Sequence, residues 1–387
     1  MLTTTMQDFN VTQTRGGKTR KTKPNELVGR YATIVTEQRL SWTTHLRLQR
    51  LLGKGGQGVV YLTEQRGADG FTLPVALKVF SPERFDTARA YDEAMQRIAR
   101  VASSVAQIQH DNLLDVDNFV DRNRIRMMVM EWVDGYDLQQ LLVPGMLQRI
   151  RSRVSNRRWQ YLNRVIVTKG PIHPRVQPGV AVAIVRDCLA ALAALHREEL
   201  VHGDMKPSNV MLKRTGHAKI IDFGSAFELS DPPPTRTCTP AYAAPEVLEG
   251  NDITPRSDLA SLGYVLLELL AGRPLFADCH NVRELLEAKR ALPQTMVDIL
   301  PADVTVNELL MNFCRGMIAP DPMLRFASAE AAELLKEGAA AFHRQLVIGD
   351  LSVEYGNEIR LWLEELKELE EAERQVGDDT TSPFGTC

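Results

Sequence analysis

The spacing of apolar residues changes character once along this chain. From about Arg47 to Leu142 the runs "RLQRLLGKGGQGVVYLTEQR", "LPVALKVF" and "IRMMVMEWV" read as strands. One helix interrupts them. In "FDTARAYDEAMQRIARVASSVAQIQ", Tyr91, Met95, Ile98, Val101, Val105 and Ile108 fall on one broad face. After Pro178 the chain turns helical, with "GVAVAIVRDCLAALAALH" and "RSDLASLGYVLLELLAG" as buried-helix candidates. A strand-rich part followed by a helix-rich part predicts an α+β chain of two lobes. At 387 residues the chain is long enough for one large two-lobed domain with extensions.

Polar residues punctuate this pattern at a few places. "GKGGQGVV" sets Gly53, Gly55 and Gly58 between two strands. Without Cβ atoms, such a flap lets backbone N–H groups approach phosphate. A dinucleotide-binding turn would need a helix directly after the glycines, and "VVYLTEQ" is a strand. "VALKVF" puts Lys78 in an apolar strand, where it is either a strand-edge Lys facing water or a cation beneath the flap that can neutralise phosphate charge. "LVHGDMKPSNVML" packs Asp204, Lys206 and Asn209 into one loop between apolar runs, and "IIDFGSA" adds Asp222. A carboxylate can take a hydroxyl proton, a Lys can stabilise a transferring phosphoryl group, and amide and carboxylate oxygens can bind a hard cation. Each alone is compatible with an ordinary turn residue. Their order along the chain is the specific signal.

From about Leu46 to about Gly338 the chain resembles the eukaryotic-type (Hanks-type) protein serine/threonine kinase family. The resemblance is carried by the Gly-rich loop Gly53 to Val60, "VALK", "VMEWVDGYDL", the loop His202 to Asn209, "DFG" at Asp222 to Gly224, "TPAYAAPE" ending in Glu246, "SDLASLG" with Asp258, and "DPMLR" with Arg325. It implies a two-lobed protein-kinase-like fold: a small β-rich N-lobe at about 46–133 and a larger α-helical C-lobe at about 134–338. It also implies ATP and Mg²⁺ (or Mn²⁺) as cofactors and a protein as substrate. Lys78 would hold the α/β-phosphates, Asp204 would orient the acceptor hydroxyl, and Lys206 would contact the γ-phosphate. Asn209 and Asp222 would bind the metal. Met130 would be the gatekeeper, and the backbone of Glu131 and Val133 would bond adenine. Asp137 would reach the ribose, while Val60, Ala76 and Met211 would sandwich the adenine ring. Glu246 and Arg325 would pair in the C-lobe. Lys206 and Thr239 resemble the Ser/Thr branch. A pseudokinase is the alternative, and the presence of Lys78, Asp204, Asn209 and Asp222 argues against it. A small-molecule kinase is disfavoured by the "APE" and "SDLASLG" segments.

The chain departs from that pattern in places. The family pairs the strand Lys with a Glu on the first helix. Glu93 is the expected partner of Lys78, with Asp92 second, although the stretch from Glu93 to His110 is longer than usual. Gly203 stands where many members carry an Arg that receives an activation-loop phosphate. Pro232, Pro233 and Pro234 also stiffen the following segment. Activity is therefore expected not to depend on phosphorylation of Thr235 or Thr237, unless Lys219 or Arg236 replaces the Arg. Cys238 and Ala260 replace a usual Gly and Trp.

Residues 1–45 read as a disordered basic tail and lead-in, and 339–387 as an extension with an acidic helix carrying Trp362, Leu366, Leu369 and Val376. Between them, 143–178 is a basic insert with eight Lys and Arg residues, Arg158 among them, and no Asp or Glu. It is compatible with a solvated loop, a docking surface for an acidic partner or a nucleic acid, or a seat for the acidic helix. A net charge of −3 makes nucleic acid an unlikely partner for the chain as a whole. The five cysteines are widely spaced and read as free thiols. The apolar runs look too short or interrupted to span a bilayer, so a cytoplasmic protein without membrane contact is expected.

Overall fold

The computed structural model describes residues 24–37, 39–41, 45–233, 238–348 and 355–379. The first helix, α1 (Pro24–Glu37), lies in the lead-in part of 1–45, for which no helix is expected from the sequence. Leu27, Tyr31 and Ile34 are buried, and Tyr31 and Ile34 join Leu77, Ile125 and Met127 in an apolar cluster behind the N-lobe sheet. Three apolar residues at helical spacing, set beside a basic tail, are too few to announce a helix. The sheet that α1 covers supplies the missing stabilisation.

The N-lobe sheet is antiparallel. Its strands are β1 (Arg50–Gly55), β2 (Gly58–Arg66), β3 (Thr72–Phe80), β4 (Val116–Arg122) and β5 (Ile125–Glu131), in spatial order β1-β2-β3-β5-β4. Register sets Val60 opposite Lys78, and Lys78 opposite Met128. The helix α2 (Ala88–Val105) lies against this sheet, capped by Thr87, whose Oγ1 accepts from Ala90 N at 3.1 Å. Its buried face holds Tyr91, Met95, Ile98, Val101, Ala102 and Val105, as the spacing predicts. Ile108 lies beyond the helix end.

In the C-lobe, α4 (Pro178–Arg197) and α5 (Pro255–Ala271) are apolar nearly all round and lie at the centre of the core. By length and hydropathy α4 would suffice to cross a bilayer, contrary to the reading of its runs as too short. It is instead a core helix, packed against α5. The insert is folded rather than a solvated loop. It forms a helix over Met146–Arg151, the helix α3 (Asn156–Val165), and the antiparallel pair Val167–Thr168 with Arg175–Val176. Met146, Leu147, Ile150, Leu162 and Ile166 are buried.

The acidic helix α7 (Tyr355–Asp379) follows α6 (Val282–Ile299) and shorter helices. It belongs to the C-lobe core, where Ile359, Trp362, Leu363, Leu366 and Leu369 are buried with residues of α4 and α5. Trp362 sits among Leu138, Leu142, Ile184 and Leu269. Gly216 permits the close approach: at φ +88° a Cβ there would lie 1.7 Å from the Gly356 carbonyl oxygen. Arg158 of the insert donates from Nε to Glu365 Oε1 at 2.6 Å, and Lys367 reaches Asp134 at 3.2 Å. Val376 lies beyond the residues whose side chains are described.

Candidate active site

The loop "LVHGDMKPSN" hangs from one buried carboxylate. Asp258 on α5 accepts from His202 N at 2.9 Å, from Gly203 N at 2.8 Å and from His196 Nε2 at 2.9 Å. Burial alone would raise this carboxyl, yet the hydrogen bonds from His196 and from Gly203 N hold it below the usual range. To point both amides at Asp258 the chain passes through φ +75° at Gly203. L side chains enter that region at a cost of about 1–2 kcal/mol, which glycine avoids. Gly203 thus has a backbone reason in addition to the absence of a phosphate-binding side chain. His202 is fully buried, Nδ1 accepting from Asp204 N at 3.3 Å, and burial lowers its pKa, which keeps the ring neutral.

Asp204 is held from both sides. Oδ1 accepts from Thr239 N at 3.0 Å and Thr239 Oγ1 at 2.7 Å, and Oδ2 from Lys206 Nζ at 2.5 Å. Lys206 also reaches Thr239 Oγ1 at 3.1 Å. Asn209 donates from Nδ2 to the Asp204 carbonyl at 2.8 Å, which fixes its amide and leaves Oδ1 as the end that can meet a cation. Asp222 Oδ1 accepts from Lys78 Nζ at 2.6 Å and from Gly224 N at 2.9 Å. Burial pushes the Asp222 carboxyl up, but the charge and bond of Lys78 and the bond from Gly224 N outweigh it, so the group stays below its ordinary range. The oxygens of Asn209 and Asp222 are hard donors suited to a divalent cation such as Mg²⁺ that completes its shell with phosphate and water.

Lys78 is 6% exposed on β3. Val60 and Ala76 lie on the neighbouring strand and on β3 itself, Met130 is buried on β5 opposite Ala76, and Met211 pairs with Asp137 across a short ladder. Asp137 caps the helix Leu138–Leu141, its Oδ1 accepting from Gln140 N at 2.8 Å, and burial raises its pKa. Glu131 is more committed than expected. Its N–H donates to the Asp115 carbonyl at 3.0 Å and its carboxylate pairs with Lys219. Lys219 is therefore buried in another ion pair, and Arg236, Thr235 and Thr237 lie outside the described residues.

Glu93 does not pair with Lys78. It points to solvent and accepts from Arg89 Nε at 2.6 Å, one helical turn away. Asp92, the second candidate, pairs with Arg124 at 2.5 Å and Arg126 at 3.4 Å. The inward face of α2 is apolar, and its rotation is set by burial of Tyr91, Met95 and Ile98, which turns both acids away. The Glu93–Arg89 pair is exposed, and such surface pairs contribute little. Glu93→Ala is expected to leave kcat/KM in a phosphotransfer assay unchanged within about twofold; a tenfold loss would restore Glu93 to the site.

The C-lobe ion pair is present as expected. Arg325 Nη1 and Nη2 each lie 2.7 Å from the Glu246 carboxylate, and Ser257 Oγ donates to the same group at 2.8 Å. The family model for the protein kinase domain matches residues 46–337. The chain belongs to the protein kinase family. Among relatives within this family, "Serine/threonine-protein kinase PrkC" of Bacillus subtilis is 30% identical over 299 residues, covering 74% of this chain and 39% of its own length. "Serine/threonine-protein kinase PkaA" of Streptomyces coelicolor is 32% identical over 272 residues, covering 65% of this chain and 44% of its own. "Serine/threonine-protein kinase PknD" of Mycobacterium tuberculosis is 32% identical over 289 residues, covering 73% and 38%. The chain thus spans less than half the length of these kinases.

One further buried residue braces the candidate site. Lys289 on α6 is fully buried, 3.9 Å from the Tyr264 ring centroid and 4.4 Å from that of Phe276. Its Nζ donates to the Ala241 carbonyl at 2.7 Å, within the segment that follows Thr239. In "VRELLEAKRAL" it reads as a solvated face, so no local signal marks it.

Proposed function

We propose that the chain is an ATP-dependent protein serine/threonine kinase that uses Mg²⁺ or Mn²⁺. The observation that carries this is the joint hold of Lys206 and Thr239 on Asp204, the arrangement implied for the Ser/Thr branch. Asp204 accepts the proton of a substrate Ser or Thr hydroxyl as that oxygen bonds to the terminal phosphorus of ATP, while the bond from phosphorus to the bridging oxygen breaks and ADP leaves. Lys206 offsets the negative charge gathering at the transferring group, and Lys78 offsets that on the phosphates behind it. Asn209 and Asp222 would hold the metal, which supplies further charge neutralisation there.

The test is incubation with γ-labelled ATP, Mg²⁺ and a generic basic protein, followed by phosphoamino-acid analysis. Label on Ser or Thr is expected. Nucleotide binding without any transfer would establish the pseudokinase alternative.

The same reading holds that activity does not depend on activation-loop phosphorylation. Its support is Gly203 in place of a phosphate-binding Arg, and the commitment of Lys219 to Glu131. Thr235→Ala with Thr237→Ala, and phosphatase-treated wild type, should both keep full turnover. A tenfold loss in both, about 1.4 kcal/mol of barrier, would overturn it. We read the basic insert as the seat of α7 rather than of an external acidic partner, because Arg158 is already paired with Glu365. A cytoplasmic location belongs to the same proposal, supported by free thiols at Cys188, Cys238, Cys279 and Cys314.

A further inference from the structure

The partner that α2 fails to provide for Lys78 comes from the glycine-rich loop. Gln57 Oε1 accepts from Lys78 Nζ at 2.7 Å, and Gln57 Nε2 lies 3.3 Å from Ser225 Oγ, next to Gly224. The only acids on α2, Asp92 and Glu93, are bound to arginines on other faces. An ammonium has three N–H donors. Asp222 and Gln57 take two of them, and one remains for a phosphate oxygen.

Gln57 is not at a loose tip of the loop. Its carbonyl accepts from Ser81 N at 2.9 Å, just past the end of β3. The next residue, Gly58, sits at φ +141°, where a Cβ would lie 2.0 Å from the Val79 carbonyl oxygen. The backbone at Gln57 is thereby locked to the strand that carries Lys78. Gly224 leaves room for the amide, since a Cβ there would lie 1.9 Å from Gln57 Oε1.

We propose that Gln57 is the positioning residue for Lys78, doing from the glycine-rich loop what an acidic residue on the first helix does elsewhere in the family. This rests on the kinase reading above. Two consequences follow from the chemistry. The placement of Lys78 depends on β2 and β3 and not on movement of α2. An amide is also neutral, so among the described residues only Asp222 pairs with the Lys78 charge, and more of that charge is left for phosphate.

The test compares Gln57→Ala with Gln57→Glu in the full chain, reading kcat and KM for ATP and, separately, binding of a fluorescent ATP analogue with Mg²⁺. Gln57→Ala should lower kcat/KM about tenfold, about 1.4 kcal/mol, with an unchanged melting temperature. Gln57→Glu keeps an oxygen within reach of Lys78 and should recover most of the loss. Unchanged kinetics and binding in Gln57→Ala would overturn the proposal. So would a rise in kcat/KM with a fall in KM, which would make Gln57 a plug that ATP must displace. If wild type binds the analogue but transfers no phosphate, the kinase reading falls. The binding arm then decides on Gln57 alone: weaker binding in Gln57→Ala, restored in Gln57→Glu, supports it, and equal binding rejects it.

Discussion

Asp222→Asn is expected to lower phosphoryl transfer at least about a hundredfold while the chain stays folded. The amide keeps an oxygen that can accept from Gly224 N, so the local turn persists. It removes the carboxylate that pairs with Lys78 at 2.6 Å, and it removes a charged oxygen from the proposed metal pair with Asn209. Asp204→Asn should act as strongly. Thr239 still finds an acceptor, but the carboxylate proposed to take the hydroxyl proton is gone. Steady-state kinetics with circular dichroism as a fold control measures both. Wild-type turnover of Asp222→Asn at millimolar Mg²⁺ would remove the enzyme reading. The same carboxylate predicts an acid effect. Its folded pKa lies below the ordinary value of about 3.9, so its contribution to stability is present above that value and fades as pH falls through the lower folded pKa. Below about pH 4, Asp222→Asn should therefore lose stability less steeply than wild type. Parallel acid-unfolding curves would contradict this.

Trp362→Ala should destabilise the whole C-lobe by about 3–5 kcal/mol. The indole is 1% exposed and packs beside Leu142, Val176, Ile184 and Leu269, which come from separate segments of the chain. Truncation before Tyr355 should do more, exposing Ile359's and Leu363's partners as well and leaving Arg158 without Glu365. Urea unfolding reads both. An unchanged midpoint in the truncated chain would mean that α7 is an appendage. Raising salt should matter little beside this, because the buried apolar face and not the Arg158–Glu365 pair carries the docking.

These two experiments probe features of unequal legibility. Asp222 was visible because it lies in a short motif whose neighbours in sequence are also its neighbours in space, Gly224 being one. Trp362 was visible only as a position on an amphipathic face. That the face covers α4, and that the insert folds beneath it instead of remaining a loop, required knowing which surfaces were left uncovered. The outward turn of Glu93 has the same origin. Its spacing from Lys78 was acceptable, but a helix of that sequence must bury Tyr91, Met95 and Ile98, and this sets its rotation.

The sequence by itself determined the two lobes, the strand or helix character of the longest apolar runs, and Lys78, Asp204, Asn209 and Asp222 as candidates that belong together. Hydrophobic period and short motifs are local, and each of these follows from residues close along the chain. Tertiary structure alone decided who partners Lys78, where α1 and α7 rest, and that Lys219 is spent on Glu131. Gln57 lies 21 residues from Lys78 and Asp222 lies 144 away, and Glu131 is 88 from Lys219. Periodicity tells which face of an element is buried but not against what, and a hydrogen bond between distant residues exists only once that packing has brought their atoms within about 3 Å.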